Sequence, residues 1–290
     1  MNKAKKDIEL LSYEDIVGTT SQVKEIKLSE LHEFVNHPFK VIEDKDFENL
    51  VQSIKEYGVL TPGIARPRPR PDGGYELISG HRRKRASEKL GNETMPVIVA
   101  NFSDDEAAIL VVDSNIQREN LAHSEKAKAF QMKYEAIKHQ GKKGTGSTLE
   151  IISDMLGENA KNVQRYVQLA RLNDSLLDKV DMKQISFSTG LELSFLTNVQ
   201  QNIVLNVLER TGKKINQAKA RKVREAAELD KLDEKLAEAL LEDNKRIQNL
   251  FFMMDYRKLQ EYFGESFNEN EAKNVIYKLL DEWKEHKLSS

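Results

Sequence analysis

The feature that most constrains the fold is a change of hydrophobic pattern at Ser103. Upstream of it, "YELIS" alternates apolar and polar residues as a half-buried strand does, and "MPVIVA" has the β-branched run of a buried strand. Downstream of it, the apolar residues recur at helical spacing. The sequence therefore predicts an α+β protein, in which a small mixed α/β domain is followed by an all-α domain and a helical C-terminal region.

The domain boundaries are predicted from turn residues, helix signals and charge. We expect a flexible N-terminus at 1–20, the mixed α/β domain at 21–118 and a helical domain at 119–225. Within the helical domain, a helix-turn-helix is predicted at about 148–170. A helical C-terminal region at 226–290 completes the chain.

Composition excludes several classes of function. The chain contains no cysteine, which excludes disulfides, thiolate metal sites and a cysteine nucleophile. No window approaches the roughly 20 apolar residues of a membrane-spanning helix. The basic residues at the N-terminus are not followed by the apolar run of a signal peptide. We therefore expect a cytoplasmic protein without a membrane partner.

Charge is segregated along the chain although the formal net charge is only -2. Lysine and arginine outnumber aspartate and glutamate by eight to three in 61–90, by nine to five in 121–172 and by seven to one in 205–224. In 225–290 the balance reverses to ten against sixteen. Basic blocks of this kind indicate a polyanionic partner such as nucleic acid. The alternative is that long, solvated helices carry these charges.

The stretch "YELISGHRRKRASEKLG" places Gly80 between a predicted strand and a predicted helix. The free N–H groups and the positive dipole end of such a helix attract anions. Arg82, Arg83 and Arg85 add side chains that can pair with phosphate oxygens. His81 and Arg85 lie on a different helical stripe from Arg82, because residues three or four apart share a face. We therefore predict a phosphate site at this helix start, with a solvated basic face as the alternative.

The stretch "STLEIISDMLGENAKNVQRYVQLARL" combines two short helical patterns with a tight turn at Gly157. This arrangement is typical of a helix-turn-helix, whose second helix enters the major groove. We expect Val163, Val167 and Leu169 to face the core. The polar side of the second helix supplies the candidate base contacts Lys161, Asn162, Gln164, Arg165 and Gln168. A plain helical hairpin within a bundle is the alternative interpretation.

Two further sets of residues have weaker patterns. Lys126, Lys128, Lys142 and Lys143 are interpreted as phosphate contacts that position the protein on DNA. An amphipathic helix is predicted from Leu229, and an apolar aromatic cluster follows at 251–256. This C-terminal region either packs within the chain or supports self-association as a homodimer, which would match the symmetry of a palindromic DNA site.

Several ordered motifs resemble the ParB-type partition proteins of the ParB/RepB family. "SGHRRKRASEKLG" resembles the family's G-x-R-R-x-x-A box, and "DSNIQRENLAHSEKAKAF" resembles its second box. "NHPFKV" and "GVLTPGIARP" resemble the first family segments, so that the resemblance extends from Val23 to Leu196. It implies a ParB/sulfiredoxin-like N-terminal domain. Since the chain has no cysteine, the chemistry of sulfiredoxin is excluded.

The resemblance also implies a site for CTP with Mg²⁺. The base pocket would be lined by Thr61, Pro62 and Gly63. The triphosphate would be held by Gly80, His81, Arg82 and Arg83. The residues near the phosphates and the metal would be Asn115, Gln117 and Arg118. Asn115 is the implied metal ligand, and His37 in "NHPFKV" is a further candidate to approach the nucleotide. Mg²⁺ usually takes few protein oxygens and several phosphate oxygens, which agrees with this set.

One position departs from the family pattern. The second box commonly begins with Glu-Asn, whereas this chain has Ser114 before Asn115. Asp113 stands one residue earlier, and neighbouring residues on a helix point about 100° apart. We therefore expect CTP binding to persist and hydrolysis to be weak or altered, which leaves the enzyme class open.

Two functions follow from these observations. The first is a DNA-binding partition protein of a plasmid, mobile element or chromosome, which binds a palindromic double-stranded site at the nucleoid and uses CTP binding as a clamp switch. A ParA-like ATPase is the partner that the resemblance suggests. The second is a transcriptional or nucleoid-associated regulator with the same fold and without a nucleotide cycle, an alternative that Ser114 supports.

Overall fold

The computed structural model describes residues 23–69, 73–118, 120–140 and 147–242, with isolated residues between 262 and 283. The chain divides into two compact units after Leu241. The predicted flexible segment 1–20, the cluster at 251–256 and residues 142 and 143 lie outside the described residues. Within the described ranges, no helix combines the length and apolar content needed to cross a membrane.

Five short strands form one mixed sheet in the N-terminal part of the first unit. They are β1 Val23–Lys27, β2 Leu31–Glu33, β3 Gly63–Pro67, β4 Tyr75–Ser79 and β5 Thr94–Val99. Their order across the sheet is β1-β5-β3-β4-β2. The β1–β5 and β3–β4 pairs are antiparallel, whereas β3–β5 and β2–β4 are parallel. The strand patterns predicted from "YELIS" and "MPVIVA" are confirmed as β4 and β5.

The two faces of the sheet pack into different cores because successive strand residues point to opposite sides. In β4, Leu77 joins a cluster on one face with Met95 and Val97. Its neighbour Ile78 joins the larger cluster on the other face, where it meets the helical part of the unit. The alternation in the sequence thus fixes which face is covered by the helices.

Eleven helices are described in the first unit. They are α1 Lys45–Tyr57, α2 His81–Lys89, α3 Asp104–Asp113, α4 His123–His139, α5 Thr148–Leu156, α6 Ala160–Leu169, α7 Asp174–Asp181, α8 Phe187–Leu193, α9 Asn198–Thr211, α10 Gln217–Glu228 and α11 Glu234–Leu241. Ser103 begins α3 with a capping box, in which its hydroxyl oxygen accepts from the N–H of Glu106. The α+β fold class is therefore confirmed, with the transition to helices at Ser103.

The α/β and helical parts share one core. Ile64, Ile78 and Ile98 of the sheet belong to the same buried cluster as Phe130 of α4 and Val163 of α6. Helix α4 packs against α3, α5, α6 and α7, so it is the central helix of this core. The predicted boundary at 118/119 therefore separates two sequence patterns within one packed unit.

The predicted boundary at 225/226 falls inside α10. Ala227 of α10 is buried, and Ala237 and Leu241 of α11 complete the same core. The charge balance changes at 225, but the buried apolar residues continue to Leu241. The amphipathic helix predicted from Leu229 is wrong in its start, because Asp230 adopts a left-handed φ of 57° and α11 begins at Glu234.

Candidate functional site

The start of α2 and the start of β3 are in close contact through two glycines. Gly80 has a φ of 111°, which L side chains rarely adopt. A Cβ atom on Gly80 would lie 3.2 Å from Cα of Gly63, and a Cβ atom on Gly63 would lie 3.2 Å from the Ser79 carbonyl oxygen. The predicted base-pocket residues Thr61 and Pro62 therefore lie beside the predicted phosphate site.

Arg83 fixes this junction. Its Nη1 atom donates to the carbonyl oxygen of Pro62 at 2.8 Å and also to that of Thr61. The first turn of α2 is thereby tied to the loop that precedes β3. The structure brings together Thr61, Pro62, Gly63, Gly80 and Arg83, which the family resemblance implies as nucleotide residues; their role in binding stays a prediction.

Three further cations of α2 face acidic residues at the start of α1, and Lys84 pairs with Glu88 of α2 itself. Three ion pairs connect the two helices: Arg82 with Asp44 at 3.0 Å, Arg85 with Glu43 at 2.8 Å and Lys89 with Glu48 at 2.7 Å. Asp44 also caps α1, since its carboxylate accepts from the N–H of Phe47. The hydrogen bond from the Phe47 N–H is the main cause that lowers the pKa of Asp44 below its usual value, and the contact with Arg82 also lowers it. The basic stretch is therefore largely neutralised within the protein.

His81 occupies a buried position at the N-terminus of α2. Its ring lies 4.0 Å from the ring of His37, measured between centroids. Burial is the main cause that lowers the pKa of His81 to about 3, and the charges of His37, Lys84 and Arg118 contribute in the same direction. Burial also lowers the pKa of His37. Both rings are therefore neutral at pH 7 in this structure.

The second motif follows the end of α3. Asn115 is buried, and its Nδ2 atom donates to the carbonyl oxygen of Val111 at 2.8 Å and to the Ser114 hydroxyl oxygen at 3.0 Å. Gln117 is exposed, and the half-buried Arg118 guanidinium lies 5.8 Å from the centre of the Phe39 ring.

The residues of this motif partly fit a nucleotide-bound Mg²⁺. With the Asn115 amide nitrogen engaged, its side-chain carbonyl oxygen is the atom suited to a cation. Among the described residues, no group of three or more histidine, aspartate or glutamate side chains could hold a metal. An Mg²⁺ ion here would therefore depend chiefly on the phosphates, which is its usual mode of binding.

Asp113 does not take the place of the missing family glutamate. Its carboxylate lies 2.5 Å from Nζ of Lys133, whose side chain is fully buried in α4. Burial lowers the pKa of Lys133, and Asp113 partly counteracts this effect. Asp113 therefore connects α3 to α4. Sequence analysis missed Lys133, although its spacing from Phe130 and Ile137 places it on the apolar face of α4.

The predicted helix-turn-helix segment forms α5, a short turn and α6. Gly157 ends α5 with a left-handed φ of 63°, and the Asn159 side chain caps α6. Val163 and Leu169 face the core as predicted, and the partly buried Val167 packs against it. The prediction did not include Tyr166, which is also buried, because the helical phase set by Val163 and Leu169 brings it inward, where its hydroxyl lies 3.1 Å from Nδ1 of His123.

The candidate base contacts of α6 have different environments. Lys161 and Gln164 are exposed. The Asn162 amide nitrogen donates to the Glu158 carboxylate at 2.8 Å, and the Arg165 guanidinium lies 4.8 Å from the Phe187 ring centre. Gln168 donates to the carbonyl oxygen of Ser194 at 3.0 Å, so its amide contacts the end of α8. Lys161 and Gln164 are thus the two candidates most open to a partner.

Two lysines predicted to contact DNA phosphates are engaged within the protein. Nζ of Lys126 lies 2.5 Å from the Glu158 carboxylate and 5.2 Å from the Tyr166 ring centre. Lys128 pairs with Asp174 at 2.7 Å. Lys126 therefore connects α4 to the turn before α6.

A cleft lies elsewhere in the described part of the chain. It has a volume of about 1040 Å³ and is lined by residues of α3, α4 and the loop after β2, including Phe34, Asp105 and Met132. Only His37 is shared with the nucleotide candidates. We place the candidate site at the Gly63–Gly80 junction, because the predicted base and phosphate residues lie together there, whereas His37 alone of the nucleotide candidates lines the cleft.

The fold and the site together define a class of proteins. A small α+β domain with an arginine-rich helix start shares one core with a helical domain that contains two short helices joined by a glycine turn. Residues 14–116 match the family of ParB N-terminal domains. The N-terminal α/β part of the chain, which contains the candidate site, is therefore similar to a ParB N-terminal domain.

Several known proteins are similar to this chain in sequence or in structure. A relative named "Probable chromosome 1-partitioning protein ParB", from Deinococcus radiodurans, is 32% identical over 171 residues, which are 59% of this chain and 55% of that protein. The matched part thus spans about half of that relative. The C-terminally truncated ParB of Caulobacter crescentus complexed with CTP-γ-S is 24% identical, with a TM-score of 0.31 and coverage of 60% of this chain and 92% of that chain. Its complex with the centromeric parS site is 21% identical, with a TM-score of 0.40 and coverage of 75% and 98%.

Proposed function

We propose that this chain is a partition protein that binds a palindromic double-stranded DNA site as a homodimer and uses CTP with Mg²⁺ as a clamp switch. The observation that carries the proposal is the continuity of the first unit. The ParB N-terminal domain ends at the second motif, and α4 follows directly and packs against both α3 and α6. A change at the nucleotide motif therefore has a short, packed route to the DNA-contacting helix.

The DNA contact is proposed for the exposed side of α6. Lys161, at the helix start, suits a phosphate or guanine, and Gln164 suits adenine. Arg165 extends over Phe187, which restricts its orientation. Asn162 and Gln168 have intramolecular partners, so we expect them to act chiefly by positioning α6 or after rearrangement on DNA.

The nucleotide contact is proposed for the junction of β3 and α2. The N–H groups after Gly80 and the dipole of α2 favour an anion there. Arg82 and Arg83 would pair with phosphate oxygens, in exchange for Asp44 and the carbonyl oxygens of Thr61 and Pro62. Arg118 and Gln117 would approach from the end of α3.

Hydrolysis is proposed to be slow. Ser114 has no carboxylate, and the nearest one, on Asp113, is paired with Lys133. The same observation favours the second candidate, a DNA-binding regulator without a nucleotide cycle. We place the partition protein first because this chain has the two glycines of the junction and the arginines beside them that the family resemblance implies for a nucleotide site. Localisation at the nucleoid and cooperation with a ParA-like ATPase are part of this proposal.

Calorimetric titration of the full chain with CTP, ATP, GTP and UTP, each with Mg²⁺ and with or without DNA, tests the nucleotide contact. We expect CTP to bind in preference to the others and Arg83→Gln to weaken binding at least tenfold, because a charge-assisted contact is lost. Arg85→Gln is the matched control, since Arg85 is exposed and pairs with Glu43. Absence of binding by every nucleotide, together with selection of a DNA site from a random library, would favour the regulator.

A further inference from the structure

Two buried histidines at the candidate nucleotide site have unused hydrogen-bonding atoms. Across the described residues, three buried side-chain nitrogen or oxygen atoms have no partner: Nε2 of His37, Nε2 of His81 and Oγ of Ser87. The two nitrogens belong to rings whose centroids are 4.0 Å apart. A buried polar atom without a partner costs about 1–3 kcal/mol. Two of them in ring contact indicate a ligand that supplies the missing partner.

The protonation of His37 follows from its contact with the backbone. Nδ1 of His37 lies 2.8 Å from the carbonyl oxygen of Phe39. A carbonyl oxygen only accepts, so Nδ1 carries the proton. In the neutral ring, Nε2 is consequently an acceptor, and it becomes a donor only when the ring takes up a second proton.

The charges that surround the pair oppose this protonation in the free protein. Arg83 and Lys84 of α2 and Arg118 after α3 disfavour a charged His81, whereas Glu33 and Glu125 favour a charged His37. Burial outweighs the acidic residues for both rings. A bound anion would reverse the local field and would accept a hydrogen bond from a protonated ring.

We propose that His37 and His81 together contact a phosphate oxygen of the bound nucleotide and take up a proton when it binds. This inference rests on the proposed nucleotide site. The pair takes up about one proton rather than two, because two touching imidazolium rings would repel each other. The surrounding arginines and lysine favour an anion over a metal cation as the ligand of this pair.

Calorimetric titration of the full chain with CTP and Mg²⁺ at pH 7, in buffers of different ionisation enthalpy, counts the protons exchanged. We expect net uptake in the unaltered protein relative to His81→Gln and His37→Gln, which preserve hydrogen-bonding groups but cannot titrate. Protons exchanged by CTP itself are common to all variants, so the difference isolates the histidines. His139→Gln, on the exposed end of α4, is the control and should match the unaltered protein.

The pH dependence gives a second measure. With one proton coupled, affinity should fall by up to about tenfold per pH unit between the pKa of the free pair and the higher pKa of the bound pair, and this slope should flatten in His81→Gln. Circular dichroism checks that each variant is folded. CTP binding with the same proton count in all four proteins would overturn the proton uptake and leave the nucleotide site intact. No binding of CTP by the folded, unaltered protein would overturn both.

Discussion

Helices α2 and α6 both follow a glycine and both carry cations, but their surroundings differ. In α2, Arg82 pairs with Asp44 and Arg83 donates to two loop carbonyls, so the charges are held in place within a half-buried junction. In α6, Lys161 and Gln164 project from an exposed face. We therefore expect α2, whose cations already have internal partners, to suit a small anion, and the open start of α6 to suit a polymer.

Helix α4 connects the end of α3, where the second motif begins, to α6, and this connection gives the largest expected effect. Asp113→Ala would leave the buried Lys133 without its partner, and such a loss costs about 3 kcal/mol or somewhat less here, because the Asp113 side chain is 28% exposed. Chemical denaturation would measure the change. Because α4 packs against both α3 and α6, we expect nucleotide binding and DNA binding both to weaken in this variant.

The double variant Asp113→Ala with Lys133→Met is the control for this prediction. An apolar pair of similar volume often stabilises as well as a buried ion pair does. We expect the double variant to recover most of the lost stability. A double variant as unstable as Asp113→Ala would show that the ion pair itself, rather than the unpaired lysine, determines stability.

The burial of His81, the first residue of α2, also predicts a loss of stability in acid. The pKa of His81 is about 3 in the folded chain and 6.5 in its ordinary state, so the unfolded chain binds more protons between these values. Stability conferred by the neutral ring is therefore present above pH 6.5 and is lost as the pH falls toward 3. At pH 5 the loss is about 2 kcal/mol. Thermal melting of the unaltered protein and of His81→Gln from pH 7 to pH 5 should show a smaller decline in the variant; equal declines would contradict this prediction.

The glycine junction sharpens the comparison further. Gly80→Ala places a Cβ at a φ of 111° and 3.2 Å from Cα of Gly63, and we expect it to cost about 1–3 kcal/mol and to weaken CTP binding more than DNA binding. Gly91→Ala is the matched control, because Gly91 also has a positive φ of 76° but open space around it. The control should cost about 1 kcal/mol and leave CTP binding unchanged. Equal effects on CTP binding would exclude a special role for the junction.

The parts predicted correctly from the sequence depend on local physics. A strand, a glycine and a basic helix follow one another within 75–91, so the alternation and the glycine were enough to predict the start of α2. The place of Gly63 beside this helix start was implied only by the family resemblance. The partners of the cations of α2 could not be predicted, because Asp44 and Glu43 are 38 and 42 residues from the arginines they bind. Only tertiary packing brings α1 beside α2.

The same distinction explains the errors in the helical part. Tyr166 was overlooked because valine is the more apolar residue, whereas burial depends on the helical phase and on a partner for the hydroxyl. Likewise, Lys126 is a cation of the kind that contacts phosphates, but its ammonium group lies between the Glu158 carboxylate and the Tyr166 ring. The predicted roles of Lys161, Gln164 and the other candidate contacts stay predictions, since an exposed side chain is equally compatible with several partners.

The smallest expected effect concerns the open helix. Lys161→Ala should weaken binding to a selected DNA site by about 1 kcal/mol and reduce the slope of log K against log salt by about one, if Lys161 contacts a phosphate. Fluorescence anisotropy over a range of salt concentrations measures both quantities. Lys55→Ala, an exposed lysine on α1, is the control and should change neither. An unchanged slope with altered preference at a single base pair would instead assign Lys161 to a base edge, and no change at all would remove the exposed start of α6 from the DNA interface.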